Sequence, residues 1–419
     1  MDFSFGFDDF VTEIGELEVR KKKKFDRVWK ITVGASIESS IIHNGRIYIF
    51  GCDKRVYAYD IDTMKLLWIF NTDGLNISEG IVSNGVLYFG SFDNNLYAVD
   101  TINGKELWHF RTGGEILGIP LVWNDRVFIG SRDGNMYAVD KNSGQELWHF
   151  KTGDSVCAAP TIYKNILLFP SSDSHIYFVD AETGKELWRF KTGDEVYNNT
   201  AYFEIRNGIV YFTSMDNFLY AVDIENKREL WRFKTGKYGN GMTPLIHNNT
   251  IFCGSRDGIM YAVTLDGEEK WRFNAGSGII LKKPLWYDNS VIFGSESGYI
   301  YKIDPDTGKE LWRFKSDGPV FDSVKVYNNM LYFCTWNGTL YSIDTHGKLV
   351  SSIKITSGPL SYLPPLYEEY EIVTKSKVHD IYEKEEAPYK FTSERSWGSY
   401  ATTSPYVTKS HYTDKRHYK

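Results

Sequence analysis

Short apolar runs separated by polar turns follow one another along most of the chain, and residues 115–153 show the pattern clearly. Four apolar runs occur there: 115–123, 127–131, 136–140 and 146–153. The polar stretch 132–135, RDGN, contains an Asp-Gly pair that suits a β-hairpin turn. No stretch shows convincingly the helical period of about 3.6 residues. We therefore expect four strands in this segment, and few helices anywhere, confined to the chain ends.

The same four-strand unit recurs along the chain. Its third strand carries the motif YAYD or a close variant, which begins at Tyr57, Tyr97, Tyr137, Tyr177, Tyr220, Tyr261, Tyr301 and Tyr341. The steps between these tyrosines are 40, 40, 40, 43, 41, 40 and 40 residues. About 40 residues is the size of one four-stranded propeller blade. The sequence therefore predicts an all-β fold, an eight-bladed β-propeller of four-stranded antiparallel blades.

A tryptophan recurs at one place in the fourth strand of the unit. In ELWRFKTG, residues 186–193, side-chain alternation puts Trp188 and Phe190 on one face and Arg189 and Lys191 on the other. A tryptophan buries about 150–250 Å², so we expect each indole to pack against the neighbouring blade. The predicted docking residues are Trp29, Trp68, Trp108, Trp148, Trp188, Trp231, Trp271 and Trp312.

Three segments carry a resemblance to a known family: YAVDTINGKELWHF at 97–110, YAVDKNSGQELWHF at 137–150 and YFVDAETGKELWRF at 177–190. They resemble the tryptophan-docking motif of the PQQ-type β-propeller repeat family. That family includes quinoprotein alcohol dehydrogenases and the propeller lipoprotein of the bacterial outer-membrane β-barrel assembly machinery. The resemblance covers about residues 26–357. Local departures are Thr264 in place of the motif aspartate and the missing turn glycine in 225–230.

Ring closure has more than one solution, because the chain contains eight sets of inner strands but nine strands of the outermost type. Segment 27–34 has Trp29 in the docking position, whereas 348–358 has no tryptophan. We therefore expect 27–34 to complete the blade formed by 318–344, which would remove a raw sheet edge. Two alternatives stay open: a nine-bladed ring that uses 364–382, and an eighth blade that 348–358 itself completes.

The predicted organisation has four parts. Residues 1–25 are an N-terminal tail, 26–357 the propeller, 358–393 an irregular extension or degenerate blade, and 394–419 a flexible C-terminal tail. The N-terminal tail passes from acidic and aromatic residues to the basic run RKKKK. Each tail is either a docking segment for a partner or a solvated chain end.

Charge and composition narrow the classes of function. The net charge is −6, and the basic side chains of the outermost strands are dispersed among glutamates, so no nucleic-acid partner is expected. No apolar stretch approaches the length of a membrane helix, about 20 residues, and the N-terminus lacks the order of a secretory signal. The four cysteines have no metal-binding spacing. We expect a monomeric, cytoplasmic protein without a membrane span.

Polar side chains that differ from blade to blade are the candidate functional residues. Positions that build a repeated scaffold repeat, whereas the positions of a site need not. In a propeller the inner strand and the connection leading into it face the central channel. The polar or reactive residues at these positions are Glu38, Glu79, Cys157, Tyr197, Asn198, Asn199, Tyr238, Asn240, Lys282, Lys283 and Asp322. They predict a channel mouth that holds a peptide or polar ligand, or one that is merely solvated.

The chain contains no recognisable catalytic motif: it has no HExxH, no GxSxG and no P-loop. The resemblance to quinoproteins implies a channel for a quinone, but the adjacent cysteine pair that many of them carry is missing. No cofactor is expected, PQQ included, and a non-enzymatic role is preferred over an enzymatic one. We expect a non-catalytic scaffold that presents its channel mouth and tails to a protein or peptide. The alternative is a small-ligand or quinone-binding propeller, a sensor or a dehydrogenase-like protein.

Overall fold

A computed structural model describes residues 37–196, 203–237, 239–240, 242–276, 282–320 and 322–354. These residues form 32 β-strands and no helix. The strands are grouped in eight sheets of four, each sheet following the chain order, and the eight blades form a ring. The predicted eight-bladed propeller is therefore confirmed. All described strands belong to one compact unit, Phe25–Pro359, whereas Met1–Lys24 and Leu360–Lys419 lie outside the described residues.

Within each blade the first strand is innermost and the fourth is outermost. Blades 1 to 4 consist of β1 (Ile37–His43), β2 (Arg46–Gly51), β3 (Arg55–Asp60), β4 (Leu66–Asn71), β5 (Ile81–Ser83), β6 (Val86–Gly90), β7 (Asn95–Asp100), β8 (Glu106–Arg111), β9 (Leu121–Trp123), β10 (Arg126–Gly130), β11 (Asn135–Asp140), β12 (Glu146–Lys151), β13 (Thr161–Tyr163), β14 (Ile166–Ser171), β15 (His175–Asp180) and β16 (Glu186–Lys191). Blades 5 to 8 consist of β17 (Glu204–Arg206), β18 (Ile209–Thr213), β19 (Phe218–Asp223), β20 (Arg228–Lys234), β21 (Leu245–His247), β22 (Thr250–Gly254), β23 (Ile259–Thr264), β24 (Glu269–Asn274), β25 (Leu285–Tyr287), β26 (Ser290–Gly294), β27 (Tyr299–Ile303), β28 (Glu310–Lys315), β29 (Lys325–Tyr327), β30 (Met330–Cys334), β31 (Thr339–Asp344) and β32 (Leu349–Lys354).

The inner strand of the third blade, β9, is shorter than predicted. It begins at Leu121 rather than at 115. Pro120 has no N–H to donate to a strand ladder. The backbone at Gly118 lies so close to blade 4 that a Cβ there would be 3.0 Å from the Ala158 carbonyl oxygen. The stretch before β9 is thus shaped by contact with the next blade rather than by strand pairing.

Eight buried clusters of apolar side chains join each blade to the next. Between blades 1 and 2, for example, Phe50 packs with Phe89 at a centroid distance of 5.8 Å. The last cluster joins Tyr332 of blade 8 to Ile47 and Tyr59 of blade 1. Burial of these side chains is the main favourable contribution to holding the ring together. The described residues therefore close the ring by themselves.

At most joints the tryptophan of one blade lies against a glycine of the next. Trp108 donates from Nε1 to the Lys141 carbonyl oxygen at 3.0 Å. A Cβ at Gly144 would lie 2.8 Å from the indole of Trp108, and the φ of +72° at Gly144 is one that glycine adopts readily. Hydrogen bonds of the same kind, between 2.9 and 3.3 Å, are made by Trp68, Trp148, Trp231, Trp271 and Trp312.

The joint between blades 4 and 5 departs from this arrangement. Lys227, with a φ of 55°, stands in place of the glycine. Phe178 lies opposite Trp188, where blade 3 has Ala138 opposite its tryptophan. Trp188 stacks on Phe178, with centroids 3.9 Å apart and planes 14° apart. Its Nε1 has no hydrogen-bond partner among the described residues, so stacking replaces the hydrogen bond at this joint.

The eighth blade is completed differently from our prediction. Its fourth strand is β32, which pairs antiparallel with β31. The prediction that 27–34 takes this position is therefore wrong, and the alternative in which 348–358 completes its own blade agrees with the structure. Segment 27–34, with Trp29, lies outside the described residues.

A change of side-chain size at the joint between blades 8 and 1 explains why β32 needs no tryptophan. Ser351 lies opposite Ser342, at the position that a tryptophan occupies in the other blades. Met64, with a φ of 53°, stands where six other blades have the glycine. Met64 is buried in the cluster that joins blades 8 and 1. Its side chain thus fills volume that a docked indole would need.

Aspartates in the hairpin between the second and third strands make a second kind of joint. Asp173 accepts a hydrogen bond from the backbone N–H of Gly153 in the preceding blade at 2.8 Å, and another from the Tyr177 hydroxyl at 2.6 Å. Burial opposes the charge on Asp173, but these hydrogen bonds outweigh it and lower its pKa. Burial, reinforced by Asp173, raises the pKa of Tyr177 to about 12. The same two contacts occur at Asp93, Asp133 and Asp216.

The Trp108–Gly144 joint yields a prediction about stability. Gly144→Ala should lower the free energy of unfolding by about 2–4 kcal/mol, because the new methyl group meets the indole as well as an unfavourable φ. Gly85→Ala is the matched control, since Gly85 has a φ of +79° but its Cβ would meet only Thr101 Oγ1, at 3.9 Å. Gly85→Ala should lower the free energy of unfolding by only about 1 kcal/mol. Urea unfolding of both variants measures the difference.

A double-mutant cycle identifies the cause of that difference. In a Trp108→Ala background, Gly144→Ala should cost no more than Gly85→Ala does. Equal costs of Gly144→Ala with and without the indole would contradict the proposed steric match.

The Asp173 contacts yield a prediction about acid stability. Because the folded pKa of Asp173 lies below that of the unfolded chain, its stabilising effect is present above about pH 4 and is lost as the pH falls through the folded pKa. Asp173→Asn should therefore reduce the loss of melting temperature between about pH 5 and about pH 3. Tyr177→Phe removes one donor and should have a smaller effect of the same sign. An unchanged slope in Asp173→Asn would show that other carboxylates dominate.

Candidate functional site at the channel mouth

Polar side chains from blades that are not neighbours meet where the connections lead into the inner strands. Ser323 of blade 8 donates from Oγ to Glu79 Oε1, which belongs to the connection into blade 2, at 3.0 Å. Lys283 of blade 7 forms an ion pair with Glu204 of blade 5. The first contact spans blade 1 and the second spans blade 6. Side chains of blades two apart can meet only near the centre of the ring, where the blades converge. These residues therefore mark the channel mouth.

A group of buried and half-buried polar residues, here called the seam cluster, joins blades 8, 1 and 2; it consists of Ser40, Glu79, Asp322, Ser323 and Lys325. Asp322 is fully buried and forms an ion pair with Lys325. It accepts a hydrogen bond from Ser40 Oγ at 2.9 Å and another from the backbone N–H of Cys334 at 3.2 Å. Lys325 Nζ also lies 3.7 Å from Glu79 Oε1. One ammonium group thus lies between two carboxylates across the joint where the ring closes.

Burial and the charges of neighbouring groups together set the pKa values in and beside the seam cluster. It raises the pKa of Asp322, although the nearby charge of Lys325 opposes the change. Burial disfavours the charge of Lys325, but the carboxylates of Asp322 and Glu79 outweigh it and raise the lysine pKa. Burial also raises the pKa of the Cys334 thiol well above its ordinary value. Because the Lys325 amine is charged and the neighbouring Cys334 thiol is protonated, the cluster offers structural support rather than a nucleophile.

Four other predicted residues have distinct surroundings. Asn240 is 1% exposed, and its Nδ2 has no hydrogen-bond partner among the described residues. Lys282 is half-buried, and its charge acts on Asp322. Lys283 keeps 41% of its side chain exposed. Cys157 is buried, which raises its pKa to about 11, so this thiol is a packing residue.

The remaining predicted residues are not described. Glu38 lies within β1, but its side chain is outside the described part. Tyr197, Asn198, Asn199 and Tyr238 lie outside the described residues altogether.

Sequence reasoning missed several residues of the mouth, including Ser40, Ser323, Lys325 and Glu204. A signal for two of them was present in the repeat. Lys325 and Glu204 are the first residues of β29 and β17. The first residues of four other inner strands are apolar, namely Ile81, Leu121, Leu245 and Leu285. A charge at a position that is apolar in other blades could have identified both.

Two further observations concern the described part of the chain. No group of three or more His, Cys, Asp or Glu side chains is placed there to hold a metal ion. None of its residues form a helix with the length and hydropathy needed to cross a membrane.

Comparisons with known proteins give one family and one fold. The family model described as outer membrane protein assembly factor BamB matches residues 21–110, 53–189, 172–279 and 266–357. The crystal structure of BamB from Moraxella catarrhalis is similar with a TM-score of 0.63 and 19% identity, over 73% of this chain and 94% of that one. The crystal structure of the computationally designed Ika8 protein is similar with a TM-score of 0.66 and 18% identity, over 75% of this chain and 98% of that one. Among curated protein sequences there is no significant match.

The seam cluster yields a prediction about stability. Asp322→Ala should lower the free energy of unfolding by about 3–5 kcal/mol, because it leaves the Lys325 ammonium buried beside a single carboxylate. The double variant Asp322→Leu/Lys325→Met should recover most of that loss, since it removes both buried charges. Thermal and urea unfolding measure both effects.

An exposed ion pair serves as the control for this prediction. Lys164 and Glu225 keep 66% and 55% of their side chains exposed, so Glu225→Gln should leave the unfolding midpoint almost unchanged. A double variant less stable than Asp322→Ala would show that the ion pair is not the source of the loss.

Proposed function

Because the chain belongs to the family described as outer membrane protein assembly factor BamB, we propose that it is a non-catalytic β-propeller scaffold that binds a protein or peptide at its channel mouth. The observation that carries the proposal is the pair of contacts between non-neighbouring blades, Ser323 with Glu79 and Lys283 with Glu204. They hold polar side chains of both signs in fixed positions on one surface. A preorganised polar surface of this kind loses little conformational entropy when a partner binds.

The distribution of charge favours a peptide over a simple ion. Lys282 and Lys283 lie on the connection into blade 7, and Glu79 and Glu204 lie on other blades. An extended ligand with charges of both signs can meet several of these groups at once. A single anion or cation would meet groups of its own sign as well.

The proposal includes three features predicted from sequence. The tails 1–25 and 394–419 supply additional docking segments, the protein acts as a monomer, and it is located in the cytoplasm. Equal partner recovery by the full chain and by a variant without both tails would remove the tails from the proposal. Sedimentation and cell fractionation address the other two features.

A small-ligand-binding propeller is the second candidate function. The observation that favours it is Asn240, whose buried Nδ2 has no partner among the described residues, because a buried amide donor of this kind suits a polar ligand atom. A ligand selective for the folded protein would raise its melting temperature in a thermal-shift screen. An absorbance spectrum of the purified protein would reveal a bound quinone.

Photo-crosslinking tests the channel-mouth proposal. A benzophenone amino acid at Lys283 should yield a defined protein adduct in extracts of the source cells. The matched control places the same group at Lys105, an exposed lysine between the third and fourth strands of blade 2, at the opposite ends of the strands. The control position should yield no such adduct.

The outcome is decided by comparing the two positions. Adducts that are equal at both positions, or that form only at Lys105, would contradict a partner site at the mouth. Loss of the Lys283 adduct in the presence of excess protein without the crosslinker would support it, since specific binding can be competed.

A further inference from the structure

The outer strand of blade 1 differs from those of six other blades in the chemistry of its solvent-facing side. Blades 2 to 7 each carry a glutamate paired with a histidine or arginine three residues later: Glu106–His109, Glu146–His149, Glu186–Arg189, Glu229–Arg232, Glu269–Arg272 and Glu310–Arg313. In blade 1 the same two positions are Leu66 and Ile69. In blade 8 they are Leu349 and Ser352. Blade 1 thus has the most apolar outer edge.

The apolar side chains of β4 are exposed and adjacent. Leu66, Leu67 and Ile69 are 41%, 38% and 42% exposed. Ile69 lies opposite Tyr57, where blade 4 has Arg189 opposite Tyr177. Within the described part of the chain no strand pairs with the free edge of β4, because β4 is the last strand of its sheet. Among the described residues, the backbone groups along this edge therefore have no strand partner.

Charged side chains on an edge strand discourage pairing with other strands. The outer strands of blades 2 to 7 carry such charges, whereas β4 has Leu66 and Ile69 at the same two positions. We propose that β4 is a docking edge, at which an extended segment of a partner protein with alternating apolar side chains adds a fifth strand to blade 1. Main-chain hydrogen bonds hold such a segment, and its apolar side chains cover Leu67 and Ile69. This site lies on the outer rim and is independent of the channel mouth.

The size of the patch favours an extended partner segment over a second copy of the chain. Three aliphatic side chains exposed by about two-fifths offer on the order of 200 Å² of apolar surface. A stable interface between folded proteins buries about 800 Å² on each partner. Edge-to-edge pairing of two copies through β4 alone therefore falls well short of a stable dimer. A peptide strand needs no such area, because it pairs along its whole backbone.

The test measures binding of a fluorescein-labelled peptide of about eight alternating Val and Thr residues, followed by two lysines for solubility. The full chain is titrated and fluorescence anisotropy is recorded. Leu66→Glu/Ile69→Arg gives β4 the charges of the other blades and should weaken binding by at least about tenfold. Ile69→Arg alone should have a smaller effect in the same direction. A peptide that is N-methylated at alternate amides should not bind.

A gain-of-function variant provides the matched comparison. Glu186→Leu/Arg189→Ile gives blade 4 the apolar edge of blade 1 and should create a second binding site, which doubles the stoichiometry. Equal binding to the unmodified chain and to Leu66→Glu/Ile69→Arg would overturn the proposal. So would a concentration-dependent dimer in sedimentation equilibrium that the same double variant abolishes, because the occupant would then be a second copy.

Discussion

The burial of apolar faces between neighbouring blades is the interaction on which the ring depends. A propeller blade has an apolar face on each side and cannot bury either of them alone, so each blade must adhere to the next. The indole of Trp108 covers Gly144, and its Nε1 is satisfied by the Lys141 carbonyl oxygen. The positive φ of the glycine places the next turn close enough for this contact. Six of the eight joints repeat this hydrogen bond.

Two joints depart from this pattern and fill the space around the indole position with other side chains. Between blades 8 and 1 the large residue has moved to the glycine position as Met64, and Ser351 stands where the indole would be. Between blades 4 and 5 the space opposite the tryptophan is filled by Phe178, and the glycine is replaced by Lys227. In both cases two positions on different blades have changed together. Only the joint between blades 8 and 1 exchanges a large residue for a small one, which roughly keeps the buried volume.

The ring of packed blades also holds the polar side chains of the channel mouth in place. These polar side chains lie on the connections and on the inner strands, at positions that differ from blade to blade. Asp322 and Lys325 form an ion pair at the joint between blades 8 and 1, where Asp322 also accepts a hydrogen bond from Ser40. Lys283 is exposed, although it is held by Glu204. The mouth therefore combines buried paired charges with an exposed charged group on one rigid frame.

The architecture can be predicted from the sequence alone, because blade size, strand order and the tryptophan positions all repeat with a period of about 40 residues. The sequence also pointed to Glu79 and Asp322, since they break the repeat. It did not reveal how the ring closes, because Trp29 made 27–34 look like the better outer strand. That choice depended on whether Met64 or an indole occupies the space at one joint, which involves residues far apart in the chain. Lys325 likewise acquires its role only when folding buries it between Asp322 and Glu79. Local pattern is sufficient for strands and their period, whereas packing between distant blades decides closure and the composition of the site.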